Sequence, residues 1–475
     1  MSKKDQIQNI QETMQQNSNG QPGNAQAGSA NAEQTGGKAD GKKAKKAARK
    51  KANRIGWIIL AIIALYIIGS NLIPKVIKPA KITGFEEAVT TVAGIKIPDG
   101  VRIVALGEAT HGNKEFQELK LEVFKQLVAT TNIRALILEG DVGGCEIANR
   151  YIQGGEGTAE EVTRLLGYGI YRTEQMRNLV LWMHDYNQTA AEADKVRLYG
   201  MDMQYDEDAI AALNAFYAKV DEAKHTAYAA KMAELLGESY QDYKADRYDE
   251  IVALMDEIEK DVEANKAAYE QKTSHAETQY AAHVAENLKY FISYRVKEGA
   301  THKSRDTYMK KNVDWILSVE ESEHAGAVMI SCHNGHMTKN QSSRFTFLGK
   351  FLSEEYASAY FAIGTDYYNT EVNVPNASYT GRIITKLCSD DPLAYQVKNL
   401  PESHYYLDFS KVDENSALGK KIYGSIPTGS IGEGYSPLYK VIKSYTRLRY
   451  EPAEMYDAMI LYYETTPIDI WPRTN

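Results

Sequence analysis

Twenty consecutive residues without a charge, IGWIILAIIALYIIGSNLIP (55–74), follow directly on a basic run, GKKAKKAARKKANR (41–54). At about 1.5 Å rise per residue, a helix over 55–74 spans roughly 30 Å, the thickness of a bilayer's hydrocarbon core. A cleaved leader would have a shorter apolar core, a small-residue cleavage site and a start nearer Met1. The pattern therefore predicts one transmembrane helix. Residues 1–54 hold eleven Lys/Arg against four acids, or +7, which leaves −15 on the rest of a chain whose net charge is −8. That excess on the N-terminal flank predicts a cytoplasmic N-terminus and an extracytoplasmic remainder, with the basic run against anionic headgroups. Residues 1–54 are expected to form a disordered basic tail, since 1–40 is rich in Gln, Asn, Gly, Ala and Ser and has little to bury. The acidic remainder has nothing to neutralise phosphates, so no nucleic-acid partner is expected.

From about residue 80 the pattern becomes globular. Apolar runs recur in VRIVALGE (101–108), RALILEGD (134–141), VRLYGMD (196–202), GAVMISCHNGH (326–336) and SAYFAIGTD (358–366). Nearly continuous apolar strands imply burial on both faces, as in a parallel sheet. Helical segments lie between them, at 115–130 and at 173–188 with Thr173 as the N-cap. The class is therefore α/β with a mostly parallel sheet. Between about 206 and 323 the chain is polar, rich in Ala and Glu, and helical in period, which reads as a helical insertion between two strands.

Polar residues collect where the strands end: Glu108 and His111, Glu139 and Asp141, Asp202, His333 and His336, Asp366. Neighbouring strand ends of an open parallel sheet share one crevice, where ligands bind. Two or three imidazoles with two or more carboxylates can hydrolyse a bond in two ways. A His held by a carboxylate can take a proton from water while another His, Lys or Arg stabilises the oxyanion. Alternatively, the same side chains ligate a metal whose bound water attacks; HNGHM supplies two candidate ligands, although no HExxH is present. No GxSxG elbow, P-loop or GxGxxG occurs, so neither a serine hydrolase of that type nor a nucleotide cofactor is indicated. Cys332 reads as a buried strand residue, and the three widely spaced cysteines suggest neither zinc ribbon nor disulfide scaffold.

The order LGEATHGNKEFQELK (106–120), ALILEGD (135–141), YRTEQMRNLVLWMHDYNQ (171–188), SRDTYMKKNVDWIL (304–317) and SCHNGHM (331–337) resembles the erythromycin esterases, with further similarity in IGEGYSP (431–437) and YDAMILYYETTP (456–467). The resemblance spans about residues 85–475. It implies a three-layer α/β/α core with a helical subdomain over a deep cleft, and metal-independent ester hydrolysis through an activated water. Carried onto this sequence, it makes His111 the general base and Glu108 and Glu139 the carboxylates that orient it or the water. His333 and His336 match the second imidazole site, and Arg305 an arginine facing the substrate. Where antibiotic-inactivating members carry Arg in the first helix, this chain has Lys120, which keeps the charge at a substrate contact and loses the bidentate fork. The expected activity is cleavage of an ester or lactone at the cell surface. A metal-dependent hydrolase of the same fold, and a non-catalytic binder of a small ligand such as haem, remain the alternatives.

Overall fold

The computed structural model describes residues 38–236, 245–324, 326–340 and 347–472. The disorder expected for 1–37 lies outside them. The first element is one long helix, α1 (Lys38–Val76). Its basic half, expected to be disordered over 38–54, is helical, because Ala, Lys and Arg are strong helix formers and the apolar half supplies the nucleus they extend. Trp57, Leu60, Leu65 and Tyr66 are all exposed on α1, so apolar surface looks outward on every side of this stretch, and Arg49–Gly69 is long and apolar enough to cross a membrane.

Strands and helices then alternate. The strands are β1 (Val89–Thr90), β2 (Ile103–Glu108), β3 (Ala135–Asp141), β4 (Arg197–Asp202), β5 (Val328–His333), β6 (Tyr360–Pro375), β7 (Arg382–Cys388), β8 (His404–Asp408), β9 (Ile426–Gly429), β10 (Arg447–Tyr450) and β11 (Ala458–Thr465). The main helices are α2 (Lys114–Thr130), α3 (Val142–Ile152), α4 (Glu174–Asn187), α5 (Glu207–Val220), α6 (Glu222–Leu235), α7 (Tyr248–Glu270), α8 (His275–Ile292), α9 (His302–Glu323) and α10 (Leu348–Tyr356). One sheet runs in the order β1-β8-β11-β6-β2-β5-β3-β4, with β7 antiparallel on the outer half of β6, while β9 and β10 pair separately. From β11 through β4 every neighbouring pair is parallel. The class is α/β.

Burial on both faces explains the unbroken apolar strands. Ile103 and Ala105 of β2 pack on one layer while Val104 and Leu106 pack on the other. The second layer is built on Phe116, Leu119 and Val123 of α2 with Met176, Leu179 and Val180 of α4. Thr173 caps α4, accepting from the N–H of Met176 at 3.3 Å. The first layer takes Phe216 of α5, Leu288 of α8 and Met309, Val313 and Ile316 of α9.

Helices α5 to α9 fill the span between β4 and β5, and α9 returns the chain to the sheet. Two polar connections fasten it there. Asn312 donates to the carbonyl of Met201 at 2.8 Å. Arg197 grips Glu320 with both arms, at 2.7 and 2.6 Å, and the Tyr199 hydroxyl donates to the same carboxylate at 2.8 Å. This pair is buried, so removing one member leaves the other uncompensated. Glu320→Ala is expected to cost about 3–5 kcal/mol of stability, read as a lower urea midpoint for the described domain with the transition slope unchanged.

Candidate active site

The loop after β2 is pinned so that His111 returns over the strand end. Asn113 donates to the Thr370 hydroxyl at 2.9 Å and to the carbonyls of Glu371 and Thr466 at 2.8 and 2.9 Å. Gly112 lies so close to β6 that a Cβ there would sit 2.2 Å from the Asn373 carbonyl oxygen. Between these anchors His111 folds back, and its Nδ1 meets Glu108 Oε1 at 2.6 Å. Lys120, two turns into α2, sets its ammonium on the other oxygen of Glu108. Burial works against ionising Glu108, but Lys120 and His111 outweigh it and hold the carboxyl at about 2. Burial likewise opposes a charge on His111, and Glu108, then Glu139 and Glu433, lift it to about 9.

Glu108 and His333 are register partners on adjacent strands β2 and β5. The His333 ring lies 4.9 Å from that of His111, centroid to centroid. Its Nδ1 accepts from the N–H of Gly335 at 3.2 Å, which places the ring proton of the neutral form on Nε2. That Nε2 is buried and has no hydrogen-bond partner among the described residues. Burial, then the charge of His111, pushes His333 down to about 3, so it stays neutral beside the charged ring.

The third part is an ion-pair web. Glu139 at the end of β3 receives Arg305 at 2.7 Å through Oε1 and the N–H of His333 at 2.8 Å through Oε2. Burial disfavours its charge, yet His336, Arg305 and His111 hold the carboxyl well below the usual range. Arg305 also grips Asp202 at the end of β4, at 2.6 and 3.1 Å. His336 bonds Asp306 through Nδ1 at 2.7 Å. Asp306 and Glu139 raise its proton affinity against burial. With that proton Nε2 faces Glu139 at 3.4 Å, and without it Nε2 accepts from Arg305 at 3.0 Å.

The structure thus brings together Glu108, His111, Glu139, Asp202, Arg305, His333 and His336. Two expected members stand apart. Asp141 caps α3, accepting from the N–H of Gly144 at 2.8 Å, and burial raises its carboxyl well above normal. Asp366 turns to the N–H of Gly429 at 2.9 Å. Lys120, expected at a substrate contact, is instead behind the site: it is 1% exposed and spent on Glu108, because its helix presents this face to the sheet. Cys332 is fully buried, and burial drives its thiol well above the usual range.

Above the cluster opens a cavity of about 370 Å³ whose wall includes His111, Glu139, Arg305, Tyr168, Tyr379 and Glu433. Tyr168 donates to Asp202 and was invisible in sequence, since it sits in a loop away from any strand end. Asp306 was also missed, although it directly follows Arg305. Among the described residues, no group of three or more His, Cys, Asp and Glu side chains is placed to hold a metal ion.

Over residues 128–465 the chain matches the erythromycin esterase family. It is 24% identical over 306 residues to erythromycin esterase type II of Escherichia coli, covering 58% of this chain and 71% of that protein. A solved Bacillus cereus protein superposes with a TM-score of 0.64 at 22% identity, covering 83% of this chain and 96% of its own. A succinoglycan biosynthesis protein does so at 0.65 and 18% identity, over 82% and 97%. An erythromycin esterase variant in its open conformation gives 0.53 at 15% identity, over 77% and 91%. At such identities the solved structures establish the fold: a central mostly parallel sheet between helical layers.

The Glu108–His111 pair makes stability pH-dependent. His111, raised from 6.5 to about 9, contributes stability that is fully present below pH 6.5 and lost as pH rises through 9. Glu108, lowered from 4.5 to about 2, contributes stability present above pH 4.5 and lost as pH falls through 2. The pair is therefore strongest between pH 4.5 and 6.5. His111→Gln is expected to cost on the order of 2–3 kcal/mol at pH 6 and much less at pH 10, measured by urea unfolding at the two pH values.

Proposed function

The chain belongs to the erythromycin esterase family, and from that premise we propose that it hydrolyses an ester or lactone with water activated by His111. The observation that carries this reading is the Glu108–His111 pair on the cavity wall, with a neutral His333 and its unpartnered Nε2–H alongside. Glu108 occupies Nδ1 of His111, which leaves Nε2 to take a proton from water as the oxygen attacks the carbonyl carbon. The ionised Glu108 then stabilises the imidazolium. Arg305 on the cavity wall and the His333 N–H supply positive potential for the oxyanion. Collapse breaks the acyl C–O bond, and His111 returns its proton to the departing alkoxide. Lys120 and His336 are positioning residues: Lys120 acts through Glu108, and His336 through Arg305 and Glu139.

This mechanism needs no metal. The groups that could ligate one are engaged already: Glu108 by Lys120 and His111, Glu139 by Arg305, and His336 by Asp306. The full-length protein in detergent, given macrolides and simple acyl esters with and without chelator, is expected to turn over at least one ester in both conditions. His111→Ala is expected to lower kcat by about 10²–10⁴-fold, and the wild-type rate to climb with pH through about 9, because the base works only when deprotonated. Loss of turnover on chelation would replace this mechanism with a metal-bound water. An unchanged rate in a folded His111 variant would remove the base.

We further propose that α1 anchors the protein by a single span, N-terminus in the cytoplasm and the domain from about residue 80 outside. The charge-free run beside the Lys/Arg-rich stretch supports this orientation. Protease added to intact cells is expected to digest the domain; protection until the cells are broken would reverse the topology.

A further inference from the structure

Outside α1 and the residue that follows it, nine large apolar side chains are well exposed among the described residues, and five of them fall within eleven positions: Leu438, Val441, Ile442, Tyr445 and Leu448. They ride on two short turns and on β10, held together by Tyr439 stacked on Tyr445 at 4.6 Å. Scattered exposed apolar residues need no explanation, but a cluster of this kind marks an interaction surface. The same stretch, 436–449, contains Lys440, Lys443 and Arg449 and no acid, with Arg447 turned inward onto Asp390, in a chain that is −15 beyond residue 54. Apolar and aromatic side chains interleaved with Lys and Arg are the composition of segments that lie in the headgroup region of an anionic bilayer.

The chain itself says which surface is within reach. Between the end of α1 at Val76 and the buried Ile82 there are five residues, which span at most about 18 Å when extended. Gln396 fixes this tether, accepting from the N–H of Ile82 at 3.0 Å and donating to the carbonyl of Ala80 at 3.1 Å. Lys78 lies over the ring of Tyr368. The Tyr368 carbonyl accepts from the N–H of Ser389 at 3.0 Å, and Arg447 donates to the carbonyl of the adjacent Cys388 at 2.9 Å. The tether and the basic-apolar patch therefore join the domain at neighbouring points. The cavity wall reaches the same neighbourhood: Glu433 and Tyr379 on it are linked, the Tyr379 hydroxyl donating to the Glu433 carbonyl at 3.3 Å, and Glu433 lies three residues before the patch.

We propose that residues 436–449 seat on the anionic bilayer that holds α1, so that the cleft mouth faces the membrane and takes an amphipathic acyl ester whose apolar part lies in the lipid. The inference rests on the hydrolase and single-span readings above. It commits to the bilayer rather than to a second copy of the chain because the tether is short and two copies meeting patch to patch would set Lys440 and Arg449 against the same cations.

Two readouts on the full-length chain separate this proposal from the hydrolase reading. The first uses Ser444→Cys carrying a fluorophore, in nanodiscs of phosphatidylglycerol with brominated acyl chains, with the unsubstituted chain giving the background from Cys388. Quenching is expected, and it should fall at least threefold with Lys440→Glu/Arg449→Glu or when phosphatidylcholine replaces the anionic lipid. Absence of quenching, including the case where the labels report pairing between chains instead, overturns the proposal. The second compares two esters for Leu438→Ser/Ile442→Ser: kcat/KM should drop about tenfold for a long-chain ester embedded in the bilayer and stay unchanged for a short water-soluble one. Equal loss on both, or on neither, overturns the substrate class. If the wild type hydrolyses neither ester while quenching persists, the hydrolase reading fails and the docking surface stands.

Discussion

The carboxylate of Glu139 stands two residues before the end of β3, and its two oxygens reach different elements. One holds Arg305 from α9, and the other holds the backbone N–H of His333 at the end of β5. Glu139 is only 4% exposed, and a buried charge without partners is too costly to keep. The strand end and the returning helix therefore depend on each other. Helices α5 to α9 deliver the cation that lets a carboxylate stay ionised under the cavity, and Asp202 on β4 fixes that cation from the far side. Every other feature of the site is built around a position that this web has already determined.

Three neighbouring imidazoles end up with three different proton affinities because their partners differ. His111 leans on an ionised carboxylate whose second oxygen is satisfied by Lys120. His333 has only a backbone N–H on one nitrogen and a charged ring nearby, so burial decides and it remains neutral. His336 faces Asp306 and Arg305 at once and can exchange one arrangement for the other. A set whose environments drive the protonation states apart can divide the labours of base, neutral donor and positioning group, as acid–base sites require. Lys120 matters here although it touches no cavity. Without its charge, burial would press Glu108 toward neutrality, and a neutral Glu108 could not raise His111.

Much of this was legible in the sequence because parallel strands have a strong signature and carry their functional residues at one end. Glu108, Asp202 and His333 end their apolar runs and Glu139 lies two residues before the end of its own, and the sheet gathers them. Asp141 and Asp366 have the same sequence signature. They diverge because backbone N–H groups, of Gly144 at the start of α3 and of Gly429 on β9, capture their carboxylates away from the cavity. Lys120 stands elsewhere than the resemblance put it, and only the packing of α2 against the sheet reveals that its ammonium is buried on Glu108. Tyr168 left no pattern that spacing could detect, whereas Asp306 lay beside Arg305 in the SRDTYM segment and only the fold shows that it faces His336. The helical state of 38–54 was hidden by composition: a basic run next to polar low-complexity sequence looks unstructured until its Ala, Lys and Arg content is weighed as helix propensity.

The parts that govern chemistry and the parts that govern access come from different stretches of chain. The acid–base groups stand on β2, β3 and β5, whose positions the whole sheet enforces. The rim instead uses Tyr379 and Arg382 around the β6–β7 turn and Glu433 after β9. Tyr379 adopts a left-handed backbone conformation, φ +53°, that a side chain of its size rarely accepts. It is held there by the turn's own bonds, including Tyr379 N–H to the Asn376 carbonyl at 2.9 Å. Backbone strain of this kind persists only where its surroundings over-determine it. Among the described residues Arg382 and Glu433 pair with each other and not with Glu139, Arg305 or Asp202, so the rim reaches the chemistry chiefly through the charge of Glu433 on His111. That separation is why the fold alone does not name a substrate, and why the identity of the rim side chains carries more information about specificity than the catalytic set beneath them.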